Sequence, residues 1–507
     1  MARRTSYDKH FSVTISSPEE INEVEAWEYV NAFFQNCWEA DLGLIDRKEF
    51  ETQLKSHYRK QKSKSDPAWI ALRNIVFAGG CRSLLARDST VSFAAAQAKA
   101  GHYFTRAVSV LTSLLVPPPK LMSVRALSLM ACYVEGPGDY TFKHLLCSIA
   151  VHLAQSIGLH RQPDKSGGKS KNEILSRSWL WWALYALEKQ LAFCGSRPSV
   201  IVDDNISIDL PSQLPSGSNI QVLSLSIGFR FSKIQSQLSR QLLSLKALSL
   251  SASELIKTVS HFHGQLMQLL NQIPEECRVG TLASPPHSAV HLAHILYLHF
   301  SIYGSLMAIH AHFFYPWMTS RFSSDGYNAA VDEQITSSSS TVAEAARKII
   351  LGLRLVNSNL TTPSWLAYHY PICAVVNLCI YILKYPELTT ATADLGLLDV
   401  CAGHFGYMEF LTASQVSIAL AREAANVASN VVKRTKSKGS SSASAQGASH
   451  YDHSGGASSL PMGGESLSFD HLEPNTDVLG DVSPTRWNPL SSFDMTNRSA
   501  SGFENFT

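Results

Sequence analysis

The chain has 507 residues, 45% of them hydrophobic, which is enough for one large buried core or for two to three average domains. Its 43 Lys and Arg residues nearly balance its 41 Asp and Glu residues. The resulting net charge of +2 excludes a protein that grips nucleic acid over its whole surface. No apolar segment follows the short basic N-terminus, so the sequence predicts an intracellular protein without a secretory signal.

Two apolar stretches, 289–314 and 372–383, are interrupted by histidines or by Asn377, which favours buried helices over membrane spans. Nine cysteines are scattered along the chain without a C-x-x-C pair, a pattern typical of reduced thiols in a protein core. We therefore expect no membrane role and no cofactor in this chain.

Apolar residues recur at helical spacing from about residue 19 to residue 433. The strongest strand signal is confined to the short stretch from Val200 to Ile208. The predicted helices, besides the two described next, cover 24–37, 45–60, 67–87, 91–115, 121–134, 227–249, 252–272, 287–314, 340–357, 366–384 and 394–432. The sequence therefore predicts an all-α fold with one large multi-helix domain.

Two neighbouring predicted helices have clear boundary signals. The first covers 145–157 and ends before Gly158, a residue that favours the backbone conformation in which helices close. The second begins after Ser170, which is followed three residues later by Glu173 in a capping-box pattern, and it runs to about Phe193.

The composition changes abruptly after residue 435, where Ser and Gly become dominant. Further on, seven Asp and Glu residues against two Arg are mixed with large apolar side chains, including Trp487, Phe493 and Phe503. This mixture is typical of a disordered activation segment, although a tail without function is an equally open alternative. We therefore divide the chain into a short disordered N-terminus (1–18), a helical domain (19–435), a Ser/Gly-rich linker (436–464) and an acidic-aromatic tail (465–507).

The segment from Ser123 to Pro211 contains a helix that ends in A-Q-S-I-G-L-H-R, then R-S-W-L-W-W-A-L-Y, then G-S-R-P-S-V-I-V-D-D-N-I-S-I-D-L-P. In this order the motifs closely resemble the middle homology region of fungal zinc-cluster transcription factors. The matching positions are Gly158, Leu159, His160, Arg161, Arg177, Trp181, Trp182, Gly195, Arg197, Pro198, Asp203 and Asp204. Glu188 or Lys189 stands where the family usually has Asp. The resemblance implies the large helical regulatory domain of that family.

The matching residues also have a physical interpretation. Arg177 precedes Trp181 by four residues, so the spacing predicts a guanidinium group lying over an indole ring. Arg197 is close enough in sequence to pair with Asp203 or Asp204 across a tight loop. We expect these side chains to brace the fold rather than to catalyse a reaction.

Two further groups of polar residues are candidate sites. His287, His291 and His294 lie at helical spacing without a carboxylate or cysteine beside them, which favours hydrogen-bonding core residues over a metal site. A basic cluster at the end of the helical domain predicts a nuclear localisation signal, the alternative being a solubilising flank of the linker. Its residues are Lys433, Arg434, Lys436 and Lys438.

The resemblance implies a nuclear regulator of a metabolic gene set, such as secondary-metabolite genes, and not an enzyme. Its members read DNA through a six-cysteine cluster that binds zinc, and this chain has no such cluster. Either a zinc-cluster segment lies upstream of residue 1, or a DNA-binding partner or homodimer provides promoter contact while the tail recruits coactivators. The alternative function is a helical accessory protein or enzyme of a biosynthetic pathway that holds a small apolar ligand.

Overall fold

The fold is built from α-helices wherever the structure, a computed structural model, describes the chain. The described residues are 21–59, 66–88, 90–134, 140–163, 168, 170–214, 222–279, 289–325, 328–356, 358–359, 361–414 and 416–447. Within them there are seventeen α-helices and no β-strand, so the predicted all-α class is confirmed. The acidic-aromatic tail, with Trp487, Phe493 and Phe503, lies outside the described residues.

The first eight helices enclose one hydrophobic core. They are α1 (Glu23–Asn36), α2 (Arg47–Arg59), α3 (Pro67–Leu85), α4 (Phe93–Ser109), α5 (Leu111–Leu115), α6 (Leu121–Tyr133), α7 (Tyr140–Ser156) and α8 (Lys171–Cys194). The helix predicted over 91–115 is divided at Val110 into α4 and α5. The capping signal at Ser170 is used as predicted, because its Oγ accepts a hydrogen bond from the Glu173 amide at 3.2 Å.

The remaining helices enclose a second core. They are α9 (Val222–Gln241), α10 (Ala252–Asn271), α11 (Ala289–Ile309), α12 (Ala311–Phe314), α13 (Pro316–Thr319), α14 (Ala329–Gly352), α15 (Tyr370–Lys384), α16 (Ala391–Leu411) and α17 (Leu420–Gly447). A capping box at Ser251 and Glu254 starts α10. A π-helical turn over Trp365–His369 leads into α15.

The helices α8 and α9 join the two cores. Trp181, in the middle of α8, lies in the first core, whereas Phe193 near its end lies in the second. On α9, Ile227 and Phe231 are four residues apart and pack into the second core. Phe229, between them, points to the opposite side and packs into the first core. The helix α9 therefore lies between the two cores and packs against both.

The close packing of α1 on α3 depends on a glycine. A Cβ atom at Gly80 would lie 1.9 Å from the carbonyl oxygen of Tyr29, so only a residue without a side chain allows this approach. The helix α3 begins at Pro67 after Asp66, whose carboxylate accepts a hydrogen bond from the Ala68 amide at 3.1 Å. Fourteen of the 19 residues of α3 are buried.

The C-terminal boundaries differ from those that the sequence predicts. The single helix predicted over 394–432 is wrong, because the chain turns between α16 and α17 with Ala413 and Ser414 in the left-handed region at φ 47° and 60°. The helix α17 also continues past residue 435, where we placed the start of the linker, to Gly447. The last residue of the second core is Val432.

Two helical segments, Leu292–Ile309 and Trp365–Lys384, are long and apolar enough to cross a membrane by length and composition alone. Within the fold 83% and 72% of their residues are buried. Buried core helices commonly have this composition, so the two segments give only weak support for a membrane span.

Candidate functional site around the signature loop

The motif residues meet where α7 ends, where α8 packs, and along the loop from Gly195 to Pro211. Gly158 adopts φ 70°, and the next amide, that of Leu159, donates to the Ala154 carbonyl at 3.0 Å. This is the left-handed closure predicted for the end of the helix. Leu159 is then buried in the first core.

The residue after this closure anchors the signature loop. The His160 carbonyl accepts hydrogen bonds from the amides of Ser207 and Ile208 at 3.0 and 3.3 Å. The His160 ring lies 5.6 Å from the Trp181 ring, and burial lowers its pKa below the usual range. Arg161, exposed beside it, donates from Nε to the His160 ring at 3.2 Å.

Arg177 serves the end of α7 rather than the indole that we predicted. Its Nη2 donates to the Ile157 carbonyl at 2.9 Å, which satisfies a carbonyl group left without a partner at the helix end. The ring that faces Trp181 is instead the imidazole of His160. The cation–π interpretation of the Arg177 spacing was therefore wrong, although both residues brace the fold.

Tryptophans of α8 hold the far end of the loop. Trp182 is 3% exposed, and its Nε1 donates to the Asp209 carbonyl at 2.9 Å. Trp179, also buried, donates from Nε1 to the Gln213 carbonyl at 2.8 Å. Each indole therefore combines a large buried surface with a hydrogen bond that fixes the loop backbone.

Asp203 is the centre of an ion cluster between α8, α9 and the loop. Lys189 Nζ lies 3.0 Å from Asp203 Oδ1, and Arg240 Nη2 lies 3.4 Å from Oδ2. Tyr185 donates to Oδ1 at 3.1 Å and Ser236 donates to Oδ2. Burial alone would raise the pKa of Asp203, but the hydrogen bond from Ser236 and the Lys189 charge outweigh it and hold the pKa below its usual range.

The neighbouring Glu188 binds the start of the loop. Its carboxylate accepts hydrogen bonds from the Val200 amide and the Ser199 hydroxyl, each at 2.8 Å. Burial raises the pKa of Glu188, an effect that the nearby Lys189 charge only partly offsets. Glu188 and Lys189, one of which stands where the family usually has Asp, thus both hold this loop.

Arg197 does not pair with either aspartate, so that prediction was wrong. Its Nη2 donates to Thr141 Oγ1 at 2.9 Å, and its guanidinium lies 5.7 Å from the centre of the Tyr140 ring. The left-handed backbone at Ser196, with φ 48°, lies between the end of α8 and Arg197. The predicted strand signal also fails, because Asp203 opens a short 3₁₀ turn.

Two further signature residues of the loop lie at the surface. Pro198 and Asp204 are exposed, and the ion pairs with Lys189 and Arg240 are formed by Asp203. Gly195 sits against the Tyr140 ring, where a Cβ atom would lie 2.4 Å from a ring carbon. The loop thus needs a glycine at 195 for packing.

A buried polar seam between the two cores escaped the sequence analysis. Gln190 of α8 donates to the Tyr370 hydroxyl and accepts from Gln235 Nε2 at 2.9 Å. The Tyr370 hydroxyl in turn donates to Ser301 Oγ at 2.8 Å. In the sequence, this seam is indicated only by a glutamine among the buried apolar positions of α8. Its partners lie up to 180 residues away, and the sequence pattern around them does not indicate the contact.

The histidines considered as a metal site are separated in their roles. His294 is buried, and its Nε2 lies 3.2 Å from the Trp38 carbonyl oxygen, which agrees with a hydrogen-bonding core residue. The side chains of His287 and His291 lie outside the described residues. Over the part of the chain that the structure describes, no three His, Cys, Asp or Glu side chains come together as a metal site would require.

Comparison with known proteins decides what this scaffold is. A sequence model of the fungal-specific transcription factor domain matches residues 30–301, which is more than half of the chain. The chain belongs to this family. The match covers the first core from Val30 onward, the signature loop and the polar residues of α8, α9 and α11 that form the seam.

The chain is similar to several proteins named as fungal transcription regulators. The chain is 28% identical over 74% of its length to an ABC-transporter-regulating transcription factor of Aspergillus oryzae, of which the match covers 43%. A protein of the same name from Aspergillus fumigatus is 29% identical over 60% of the chain and 35% of that protein. The fusaridione A cluster transcription factor of Fusarium heterosporum is 24% identical over 73% of this chain and 70% of its own. The chain thus matches less than half the length of each Aspergillus protein.

The predicted nuclear localisation signal falls on α17. Lys433, Arg434 and Lys436 are exposed there, and Lys436 Nζ donates to Thr392 Oγ1 of α16 at 3.0 Å. The side chain of Lys438 lies outside the described residues. The cluster therefore lies within α17, outside the matched residues 30–301, rather than at the edge of a linker.

Proposed function

We propose that this chain is a nuclear regulator of transcription, not an enzyme, and that it controls a metabolic gene set that includes secondary-metabolite genes. The observation that carries the proposal is the match of the fungal-specific transcription factor domain over residues 30–301. The charged groups of the signature region support it, because they hold the loop. Lys189 pairs with Asp203 and donates a hydrogen bond to a loop carbonyl, and Glu188 accepts one from a loop amide. The name of the Fusarium relative, a cluster regulator, supports the choice of genes.

The proposal includes a division of labour. A DNA-binding partner or a homodimer brings the chain to promoters, since the near-neutral charge of a single chain gives little affinity for phosphates. The acidic-aromatic tail, residues 465–507, recruits coactivators through its aromatic side chains. The exposed basic residues of α17 support import into the nucleus.

The tail is tested by fusing residues 465–507 to an unrelated DNA-binding domain with a reporter gene. We expect activation, and we expect it to be lost when Trp487, Phe493 and Phe503 are all replaced by alanine. The aromatic side chains supply most of the contact area with a coactivator, so their removal leaves only the weak attraction of the acidic groups. A silent wild-type fusion, expressed at the level of an active control, would contradict the activating role.

Import is tested with the full chain carrying a fluorescent protein. Replacing the basic cluster by alanine should move the fusion out of the nucleus. The cluster comprises Lys433, Arg434, Lys436 and Lys438. The matched control replaces four lysines that are exposed elsewhere: Lys48, Lys171, Lys246 and Lys257. If the fluorescence of the cluster variant stays in the nucleus, as that of the control should, the basic cluster is not the localisation signal.

A further inference from the structure

The helix α16 is apolar on two opposite sides. Its inner side is formed by Leu398, Cys401, Phe405 and Met408, which are buried in the second core. Its outer stripe is formed by Gly396, Val400, Gly403, Tyr407 and Phe410, at alternating spacings of four and three residues. On that stripe the side chains of Val400, Tyr407 and Phe410 are 55%, 50% and 77% exposed. Helices that are apolar all round normally have a partner on both sides.

The outer stripe is shaped as well as apolar. No atom lies within 4 Å of the position that a Cβ would take at Gly396 or at Gly403. The two glycines therefore leave gaps beside Val400 and between Val400 and Tyr407, into which a ring from another segment can fit. A glycine inside a helix lowers its stability by about 1 kcal/mol relative to alanine. The packing on the inner side of α16 does not explain why these two glycines are there.

Basic residues border this stripe. The helix α17 runs antiparallel beside α16, because Arg422 binds Glu409 at 2.9 Å near one end and Lys436 binds Thr392 at 3.0 Å near the other. Both Arg422 and Lys436 are exposed, and the exposed Lys433 and Arg434 precede Lys436 within one turn of α17. The apolar stripe thus has a basic edge at the end of α17 that carries Lys436, whereas the charge of Arg422 is paired with Glu409.

We propose that the outer stripe of α16 is the docking site for the chain's own acidic-aromatic tail, residues 465–507. The tail has the complementary chemistry, because its aromatic rings match the apolar stripe and its excess of acidic groups matches the basic edge. The described chain ends at Gly447, at the end of α17, which borders the stripe. Fully extended, residues 448–464 would reach more than about 50 Å. This exceeds the roughly 30 Å length of α16.

Docking of a tethered segment needs only modest intrinsic affinity. A tether of this length holds the tail at an effective concentration on the order of a millimolar, so an interaction with a micromolar Kd keeps it bound. While docked, Trp487, Phe493 and Phe503 cannot contact a coactivator. This masking rests on the proposed function of the tail, whereas the docking itself does not, and binding and activation are therefore measured separately.

The test uses a labelled peptide of residues 465–507 and the full chain in which Trp487, Phe493 and Phe503 are replaced by alanine. That chain keeps its length but frees the stripe, so the peptide should bind it in fluorescence anisotropy titrations. The wild-type chain should bind the peptide at least about tenfold more weakly, because its own tail competes. Affinity for the variant should fall as salt rises, since the basic edge contributes.

Location is tested by adding Phe410→Glu to the variant, which should weaken peptide binding at least about tenfold. Phe410 is 77% exposed, so the change spares the fold, and thermal melting checks this. The control is Val24→Glu on α1, a position that is 72% exposed in the first half of the chain and should leave binding unchanged. Absence of peptide binding, or equal binding with and without Phe410→Glu, would overturn the proposal. So would concentration-dependent dimers in sedimentation that Phe410→Glu abolishes, because a second copy would then occupy the stripe.

Discussion

Lys189 Nζ, 2% exposed, lies 3.0 Å from Oδ1 of Asp203, fourteen positions later in the chain. The same ammonium group donates to Ser199 Oγ and to the Ile201 carbonyl at 2.8 and 2.9 Å. One buried cation therefore fixes the loop at three points. The closure of the signature loop depends on this residue more than on any of the exposed loop positions.

Replacing Lys189 by methionine should lower the free energy of unfolding by about 3 kcal/mol, because Asp203 loses its buried counter-charge and the Ile201 carbonyl loses its donor. Denaturant unfolding followed by circular dichroism measures the change. Arg240→Ala is the control, since Arg240 is 58% exposed and its pair with Asp203 should contribute less than about 1 kcal/mol. Equal unfolding midpoints for the Lys189 variant and the wild type would refute the role of this cation.

The pKa of Asp203, held below its usual range in the folded protein, makes stability depend on pH. At low pH the unfolded state takes up this proton before the folded state does, so the contribution of Asp203 is present above about pH 4 and is lost as pH falls further. The difference in unfolding free energy between wild type and Asp203→Asn should thus be constant from pH 7 to about 5 and shrink below about 4. A difference in unfolding free energy that stays the same down to pH 3 would contradict this role of Asp203.

Replacing Trp182 by alanine should destabilise the domain by about 3–5 kcal/mol, because the indole is buried and holds the Asp209 carbonyl. Trp182→Phe, which keeps a buried ring but loses the donor, should cost only about 1–2 kcal/mol. Thermal and denaturant melts of both variants provide the measurement. An alanine variant that melts with the wild type would show that the loop does not depend on this indole.

Gly158→Ala should destabilise by about 1–2 kcal/mol, since φ is 70° and a Cβ is disfavoured in that region although it meets no neighbour. Gly101→Ala is the matched control, because Gly101 lies inside α4 with equally open space around it. There alanine should stabilise by about 0.5–1 kcal/mol. The two variants must therefore shift the melting temperature in opposite directions; a shift of the same sign would contradict the backbone argument.

The full chain alone should form no sequence-specific complex with its candidate promoters. Direct readout needs an element held in the major groove by several phosphate contacts, and the net charge of +2 cannot supply such contacts broadly. Gel-shift assays at near-physiological salt with competitor DNA make the measurement. A sharp complex that survives the competitor with this chain alone would exclude the need for a partner.

The sequence by itself determined the elements whose causes are local. Helical spacing of apolar residues and the cap at Ser170 lie within a few residues of one another, so the all-α class and the start of α8 were predicted correctly. The left-handed closure at Gly158 is equally local.

Only the tertiary structure decided which polar groups meet. Arg197 could not be assigned to Thr141, nor Gln190 to Tyr370, because contacts between side chains 56 and 180 residues apart depend on how whole helices pack. Likewise, the periodicity of α16 indicates a helix but not that its outer stripe stays uncovered. Local spacing fixes the conformation of a segment, whereas its neighbours in space are chosen by burial of the whole chain.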